Sequence, residues 1–349
     1  MKVHVYPSDA YGCGSFRMRW PGEACAAAGH DVEVVAPKDR RLKAVMRDGK
    51  VVDVLDVDAD VVVLQRVTHA YMAQAVSIMR AKGIVVVVDV DDDLSSIHPS
   101  NPAWAVHRPG AGLHSWHNLA LACRSASLVT VSTPALLDVY ARHGRGVVLP
   151  NYLPDMYYGL PRVDSDTIGW PGSFHSHPND PESLGGAVAR LVDEGAEFVM
   201  RGDSTGAGRA FGLAADPVGG SVPIDAWPSA VASLGVGIAP LADTKFNAAK
   251  SWLKPLEMSA VGVPWVASPR AEYRRLHELG AGVLVDRPRT WYRELKRLRE
   301  SAALRAELSE AGRAVAEQLR LRDHSWKWME AWSRAYEMEH ATPRAAVAV

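Results

Sequence analysis

Three groups of side chains in this sequence have the types and spacing to do chemistry. The first runs from Lys245 to Glu257, KFNAAKSWLKPLE, and leads from a loop into a helix predicted over residues 251–261. Lys250 and Lys254 stand four apart, so a helix puts them on one face, with Glu257 three further on along the same side. Two ammonium groups near a helix start can neutralise a diphosphate, and a carboxylate one turn later can accept both hydroxyls of a ribose. The plainer alternative is a Lys–Glu pair on a solvated helix face. The second group is Asp89, Asp91, Asp92 and Asp93 at the carboxyl end of a strand predicted over 84–88. Carboxylates this close repel one another when buried, so they call for cations, hydrogen-bond donors or water. Hard cations favour such clusters, His98 follows within reach of the same face, and a solvated acidic turn is the alternative. The third group is Gly12-Cys13-Gly14-Ser15, between a first strand and a first helix. Glycines let a backbone approach a ligand closely, and a helix N-terminus offers N–H groups to an anion. The spacing is not GxGxxG and no acid ends the second strand, where Ala36 and Pro37 stand, so a tight strand-to-helix turn is the competing reading.

These groups need a scaffold, and the hydrophobic pattern supplies one. Apolar runs at 3–6, 32–35, 61–64, 84–88, 128–131 and 147–149 have strand length, and a helix is predicted over 16–28, ended by Gly29. Continuous Val/Ile runs suit a parallel sheet covered on both faces. Residues 151–166, with Pro154 and Pro161, show no period and read as a connection. A second set of strands is predicted at 167–170, 197–200, 236–239, 264–267 and 283–285, with a helix at 181–193 and helical sequence from Thr290 to the Trp-rich stretch Trp326, Trp328 and Trp332. Alternating strand and helix gives an α/β class with two Rossmann-like domains. The expected division is 1–155, 156–320, and a C-terminal helix over 321–349 packing back on the first domain. A chain of 349 residues suits two such domains.

Composition narrows the function. Lys plus Arg is 39 and Asp plus Glu is 40, which argues against a dedicated non-specific nucleic-acid binder. The three cysteines (Cys13, Cys25, Cys123) form no CxxC pair and suit a reducing cytoplasm. The N-terminal sequence reads as a strand and a glycine loop rather than a signal peptide, and the apolar runs fall short of the roughly 20 residues of a membrane span. The expected location is cytoplasmic. Arg17 and Arg19 on the first helix, with Lys38, Arg40, Arg41, Lys43, Arg47 and Lys50, make part of the first domain basic. That patch is a solvated face, a contact for an anionic lipid-linked saccharide at a membrane surface, or a contact for DNA phosphates.

In order along the chain, the sequence resembles the GT-B glycosyltransferases of the family 4 type, over nearly its whole length. The matching segments are the Gly12/Gly14 loop, the acidic run with Asp92-Asp93, Val129-Thr130-Val131-Ser132-Thr133, Leu149-Pro150-Asn151, Ile168-Gly169-Trp170-Pro171-Gly172-Ser173, and Lys250-Ser251 through Glu257 to Pro264. The resemblance implies a GT-B fold, two Rossmann-like domains facing each other across a cleft, and transfer of a sugar from a nucleoside-diphosphate sugar to an acceptor hydroxyl with retention. It implies a ribose-binding role for Glu257, a place near the donor phosphates for Gly12, Gly14, Gly172 and Ser173, and one beside the base for Arg201 and Asp203. Lys250, Ser251 and Lys254 complete the donor side, with Lys254 stabilising the leaving group. Asp92, Asp93 and His98 would act at the reacting centre, and Asp91, Arg17 and Arg19 on the acceptor side. The implied co-substrate is a nucleotide sugar, with no tightly bound cofactor and no required metal. The family often has a glutamate eight residues before the ribose-binding one, where this chain has Ala249, a variant of surface-polysaccharide and phage members. The acceptor is expected to be a saccharide or lipid-linked saccharide, with peripheral membrane contact open. The competing readings are a phage-type enzyme that glycosylates a hydroxylated DNA base, a non-catalytic nucleotide-sugar-binding protein, and a two-domain epimerase.

Overall fold

The valine-rich runs become strands because β-branched side chains fit a pleated surface covered on both faces. In this computed structural model, which describes residues 1–39, 41–108, 110–270 and 272–341, they build the sheets of two separate units.

The first unit comprises Met1–Ser95, Val106–Pro150 and the described residues from Leu321 onward. Its sheet is wholly parallel: β1 (Val3–Tyr6), β2 (Val32–Val34), β5 (Val61–Gln65), β6 (Val85–Val90), β7 (Leu128–Val131) and β8 (Gly146–Val148) lie in the order β2-β1-β5-β6-β7-β8. Every residue of β5, β6 and β7 is buried, as expected of strands with helices on both faces. The order reverses between β1 and β5, which makes their carboxyl ends a topological switch point. Between β2 and β5 the chain makes an antiparallel hairpin, β3 (Lys43–Arg47) and β4 (Lys50–Leu55). The basic residues there hid it from the sequence reading, but Asp48 and Gly49 have φ of 49° and 72°, the mirror-image turn that joins tight hairpins. The C-terminal helix Trp326–Ala341 belongs to this unit and buries Trp328 and Trp332, while Cys25 Sγ lies 3.4 Å from the Ser325 carbonyl.

The second unit comprises Ser96–Ala105 and Asn151–Arg320. Its parallel sheet has the order β10-β9-β11-β12-β13, from β9 (Ile168–Pro171), β10 (Phe198–Arg201), β11 (Val236–Ala239), β12 (Trp265–Ala267) and β13 (Val283–Leu284). Trp170, Met200, Ile238, Trp291 and Leu295 are core residues of this unit. The helix expected over 181–193 is broken, because Gly185 and Gly186 take φ of 52° and 81°, and only Ala187–Asp193 is α-helical. The connection 151–166 is irregular, as its prolines require, yet Leu153 and Tyr157 are fully buried within the unit.

Candidate functional site

In the second unit β11 and β12 run parallel, so the helix Leu253–Val261 that joins them starts at the carboxyl edge of the sheet, beside the reversal between β9 and β11. Glu257 on that helix is 5% exposed. Its Oε1 accepts from the Tyr157 hydroxyl at 2.6 Å and from Trp227 Nε1 at 2.8 Å. No described protein group donates to Oε2. Burial raises the carboxyl from 4.5 to about 7, against the pull of these donors and of Lys254. One turn earlier Lys254 sets its ammonium 5.0 Å from the centre of the Trp170 ring and against Gly172, where a Cβ would stand 2.7 Å from Nζ. It makes no ion pair with a described residue. Burial lowers its pKa to about 8; Lys250 pushes the same way, while Asp180 and Glu257 oppose it.

Lys250 is not on this helix. The helix begins at Leu253 because Pro255 has no N–H to give to the residue 251 carbonyl, and a proline is tolerated only in the first turn. The shared i,i+4 face expected for Lys250 and Lys254 is therefore absent. Lys250 instead lies 4.3 Å over the Phe246 ring, close enough to Lys254 to depress its pKa. Ser251 Oγ accepts from Asn151 Nδ2 at 2.9 Å, and the buried Trp252 indole donates to the Asn151 carbonyl at 2.7 Å. Ser251 thus ties the connection to the helix start.

Gly172 and Ser173 follow β9, and their backbone is stitched to the turn after β10. Gly172 N–H donates to Arg201 O at 2.7 Å, and Phe174 N–H donates to Asp203 O at 2.8 Å. Gly202, with φ of 117°, permits this: a Cβ there would lie 2.5 Å from Gly172 O. The Arg201 guanidinium turns to Ser233 Oγ at 2.9 Å, and Asp203 accepts from Thr205 N–H and Oγ1–H at 3.1 and 2.8 Å, so both side chains have local partners. The sequence reading missed Asp180, which is 1% exposed. Its Oδ1 accepts from Asn247 Nδ2 at 2.6 Å and Ala242 N–H at 3.0 Å, and its Oδ2 accepts from His177 Nδ1 at 2.8 Å. Burial, then Lys254, and also Lys250 lower the pKa of His177 although Asp180 opposes them, which places the imidazole beside both lysines. The available signal was Asp180-Pro181, an acid directly before a helix-starting proline.

In the first unit the acidic run does not converge on one point. Asp89 is fully buried and takes two contacts from Arg17, Nε at 3.1 Å and Nη2 at 2.7 Å, and a third from Thr130 Oγ1 at 2.6 Å. Arg17 Nη1 also donates to Leu149 O at 2.6 Å. With 1% exposure Arg17 is an interior strut, which corrects its expected place on an acceptor-facing surface. Asp91 pairs with Arg66 through contacts of 2.5 and 2.6 Å; burial alone would raise its pKa, but the guanidinium overrides this and holds it well below the usual carboxylate range. Asp93 is 1% exposed and accepts from Ser95 N–H and Oγ–H at 3.0 and 2.5 Å. Asp92 is half-buried. Among the described residues no three His, Cys, Asp or Glu side chains are arranged to hold a metal. His98 is exposed in the segment Ser96–Ala105 of the second unit, and the Ser100 amide donates to its Nδ1 at 3.2 Å, leaving the neutral ring's proton on Nε2.

The Gly12-to-Gly14 turn holds an anion of its own. Asp9 Oδ1 accepts from Tyr11 N–H at 2.8 Å and Gly14 N–H at 3.1 Å, and a Cβ on Gly14 would collide with Asp9 O at 1.9 Å. The Gly14 amide expected to be free for a ligand is thus taken by a carboxylate of the chain. Nothing lies within 4 Å of a Cβ built on Gly12. Arg19 is half-buried beside the Trp20 ring at 5.3 Å. Basic residues near the hairpin are interleaved with acids: Arg41 with Glu33 at 2.6 Å, Lys43 with Asp56 at 2.7 Å, and Lys82 with Asp53. Arg40 lies outside the described residues.

No known family's sequence profile and no curated protein matches this chain. Solved structures do. The chain is similar to sucrose-phosphate synthase of Thermosynechococcus elongatus, with a TM-score of 0.63 over 97% of this chain and 100% of that one, at 12% identity. It is similar to a glycosyltransferase of Rickettsia africae, with a TM-score of 0.63 over 98% and 99% at 11% identity. It is also similar to HepE of Anabaena in complex with UDP and glucose, with a TM-score of 0.61 over 95% and 99% at 15% identity. The fold is GT-B. As GT-B requires, each unit is a Rossmann-like parallel sheet with a reversal of strand order, and each reversal has candidate site residues at its carboxyl edge. No described helix is long and apolar enough to cross a membrane.

Proposed function

We propose that this chain is a nucleotide-sugar-dependent glycosyltransferase that moves the sugar from a nucleoside diphosphate to an acceptor hydroxyl with retention, the acceptor being a saccharide or lipid-linked saccharide. One observation carries the reading. Lys254 and Glu257 sit one helical turn apart at the switch point of the second sheet, both charged against their surroundings and each with bonding capacity unused. A nucleoside diphosphate relieves both: its phosphates supply the anion Lys254 lacks, and its ribose hydroxyls donate to Glu257 Oε2. The neighbour in complex with UDP and glucose supports this reading.

When the glycosidic bond to the diphosphate breaks, negative charge grows on the leaving oxygen. Lys254 and Lys250 stabilise it, and His177, held through Nδ1 by Asp180, can donate to it once protonated. Tyr157 and Trp227 hold Glu257 in place while leaving Oε2 to the ligand. Among the acidic residues Asp92, half-buried at the carboxyl edge of the first sheet, is the candidate that orients the acceptor. The acceptor reading favours a saccharide over DNA, because the chain has no basic excess and Arg41 and Lys43 of the hairpin region are paired with carboxylates. The three free cysteines suit a reducing compartment.

The test is nuclear magnetic resonance of mixtures of the protein with UDP-, GDP- and ADP-sugars and simple glycoside acceptors. Release of one nucleoside diphosphate with an axial-to-axial outcome at the anomeric carbon is expected, and its loss in Lys254→Ala and Glu257→Ala. Full turnover in both variants contradicts the assignment; turnover that merely interconverts the nucleotide sugar makes the protein an epimerase.

A further inference from the structure

At the carboxyl edge of the first sheet, where the strand order reverses between β1 and β5, lies a cavity of about 390 Å³. We propose that this cavity takes the uncharged, apolar part of the acceptor, an aryl ring or short aliphatic chain attached to the sugar that is glycosylated. The proposal rests on the glycosyltransferase reading and adds the acceptor class to it.

The walls are mainly apolar, with Tyr6, Pro37, Leu42, Leu64, Val67 and Met72 among the lining residues. Two guanidiniums reach the cavity, and each is paired with a carboxylate. Arg41 pairs with Glu33 at 2.6 Å, and Arg66 is held by Asp91 through both carboxylate oxygens. A phosphate would meet a carboxylate beside each guanidinium and be repelled by it, whereas a neutral apolar group meets no such repulsion. The polar groups that remain are the Tyr6 and Thr68 hydroxyls, which hydrogen-bond to no described residue, and the exposed His69. That is too little convergent polarity for a bare sugar, and it fits a ligand pocket lined mainly by hydrophobic side chains. The volume lies near the low end of the range for such pockets, roughly 300–1,000 Å³, so one ring or a short chain fits and a long lipid does not.

The walls are also fixed in advance. Gln65 Oε1 accepts from Ser8 N–H at 3.0 Å and Ser8 Oγ–H at 3.1 Å, while its Nε2 donates to Cys13 O at 3.0 Å. Arg66 holds the left-handed φ of 46°, which a non-glycine residue keeps only when its surroundings impose it; its amide donates to Asp89 O at 3.0 Å and its side chain is gripped by Asp91. A second cavity, of about 280 Å³, shares the wall Pro7, Ala36 and Pro37 and presents Asp9, Arg19 and Glu23. An amphipathic glycoside would set its hydroxyls there and its apolar group in the larger cavity.

The experiment titrates the full chain by calorimetry with phenyl β-glucoside, methyl β-glucoside and glucose 6-phosphate, in the wild type and in Met72→Trp, which narrows the larger cavity. UDP, GDP and ADP are titrated in parallel. Phenyl glucoside is expected to bind about tenfold or more tighter than methyl glucoside, since burying a ring stabilises by more than the roughly 1.4 kcal/mol that tenfold represents. Met72→Trp should remove that advantage and leave nucleotide affinity unchanged. Leu42→Trp, at another lining residue, serves if Met72→Trp does not fold. Equal binding of the two glucosides, an undiminished phenyl preference in the narrowed variant, or a preference for glucose 6-phosphate overturns the proposal. Failure of every nucleotide to bind overturns the donor reading instead, and the two failures are read from separate titrations.

Discussion

Glu257 and Lys254 are charged at a cost to the folded chain, and that cost has a sign. Glu257 rises from 4.5 to about 7 on folding, so between those values the folded state binds more protons than the unfolded one and stability falls as pH rises. At pH 7 the ionised carboxyl costs about 3 kcal/mol on this basis. Glu257→Gln keeps an Oε1 for Tyr157 and Trp227 and removes the charge. The variant is therefore expected to melt higher at pH 7 and to lose the decline of stability between pH 4.5 and 7, while binding nucleoside diphosphate about 10- to 100-fold more weakly. Melting curves across pH, with calorimetry at pH 7, check both halves. Lys254 falls from 10.5 to about 8, so the folded state binds fewer protons across that window and stability rises with pH there. Lys254→Met should abolish that rise and weaken nucleotide binding. The lysine and the glutamate were legible in the sequence because they are one turn apart. Their supports were not: Tyr157 is 100 residues from Glu257, Trp227 is 30 away, and Asp180 reaches Asn247 across 67. Only folding brings such partners together.

Local sequence determined elements well where one signal dominated and poorly where two competed. The buried strands were readable because runs of Val and Ile have no other stable use. The hairpin was obscured by its basic residues, although Asp48-Gly49 marks its turn. At residues 181–193 the apolar period suggested one helix, and the positive φ of Gly185 and Gly186 divides it. The acidic run was read as one site, whereas each buried carboxylate found its own partner among Arg17, Arg66 and Ser95, because isolated charges in an interior require compensation. The junction of the β9 and β10 turns gives a sharp test. Gly202→Ala sets a Cβ against the Gly172 carbonyl at an unfavourable φ and is expected to cost about 1–3 kcal/mol and to weaken nucleotide binding with it. Thermal denaturation and calorimetry on one preparation measure both; an unchanged melting temperature contradicts the close approach. Asp9→Ala, which uncaps the Tyr11 and Gly14 amides, should cost about 1 kcal/mol.

Across the whole molecule, the alternation of strands and helices was enough to anticipate two parallel sheets, and the near-zero net charge argued against a general nucleic-acid binder. The pairing of Arg41 and Lys43 with carboxylates adds to that argument, so duplex DNA is not expected to bind at about 0.15 M salt, where phosphate contacts would otherwise show in a gel-shift assay. The C-terminal helix is a part of the first unit's core, because Trp328 and Trp332 are each 1% exposed. A chain ending at Arg320 should therefore lose the first unit's resistance to proteolysis while the second unit retains its own. The central claim is that Lys254 and Glu257 form a nucleoside-diphosphate site. Calorimetric titration of the wild type, Lys254→Ala and Glu257→Gln with UDP, GDP and ADP tests it most directly. Saturable binding of one of them to the wild type, weakened about tenfold or more in each variant while both remain folded, is the expected result. Wild-type affinity retained in both variants, or no binding of any of the three to the folded wild type, contradicts it.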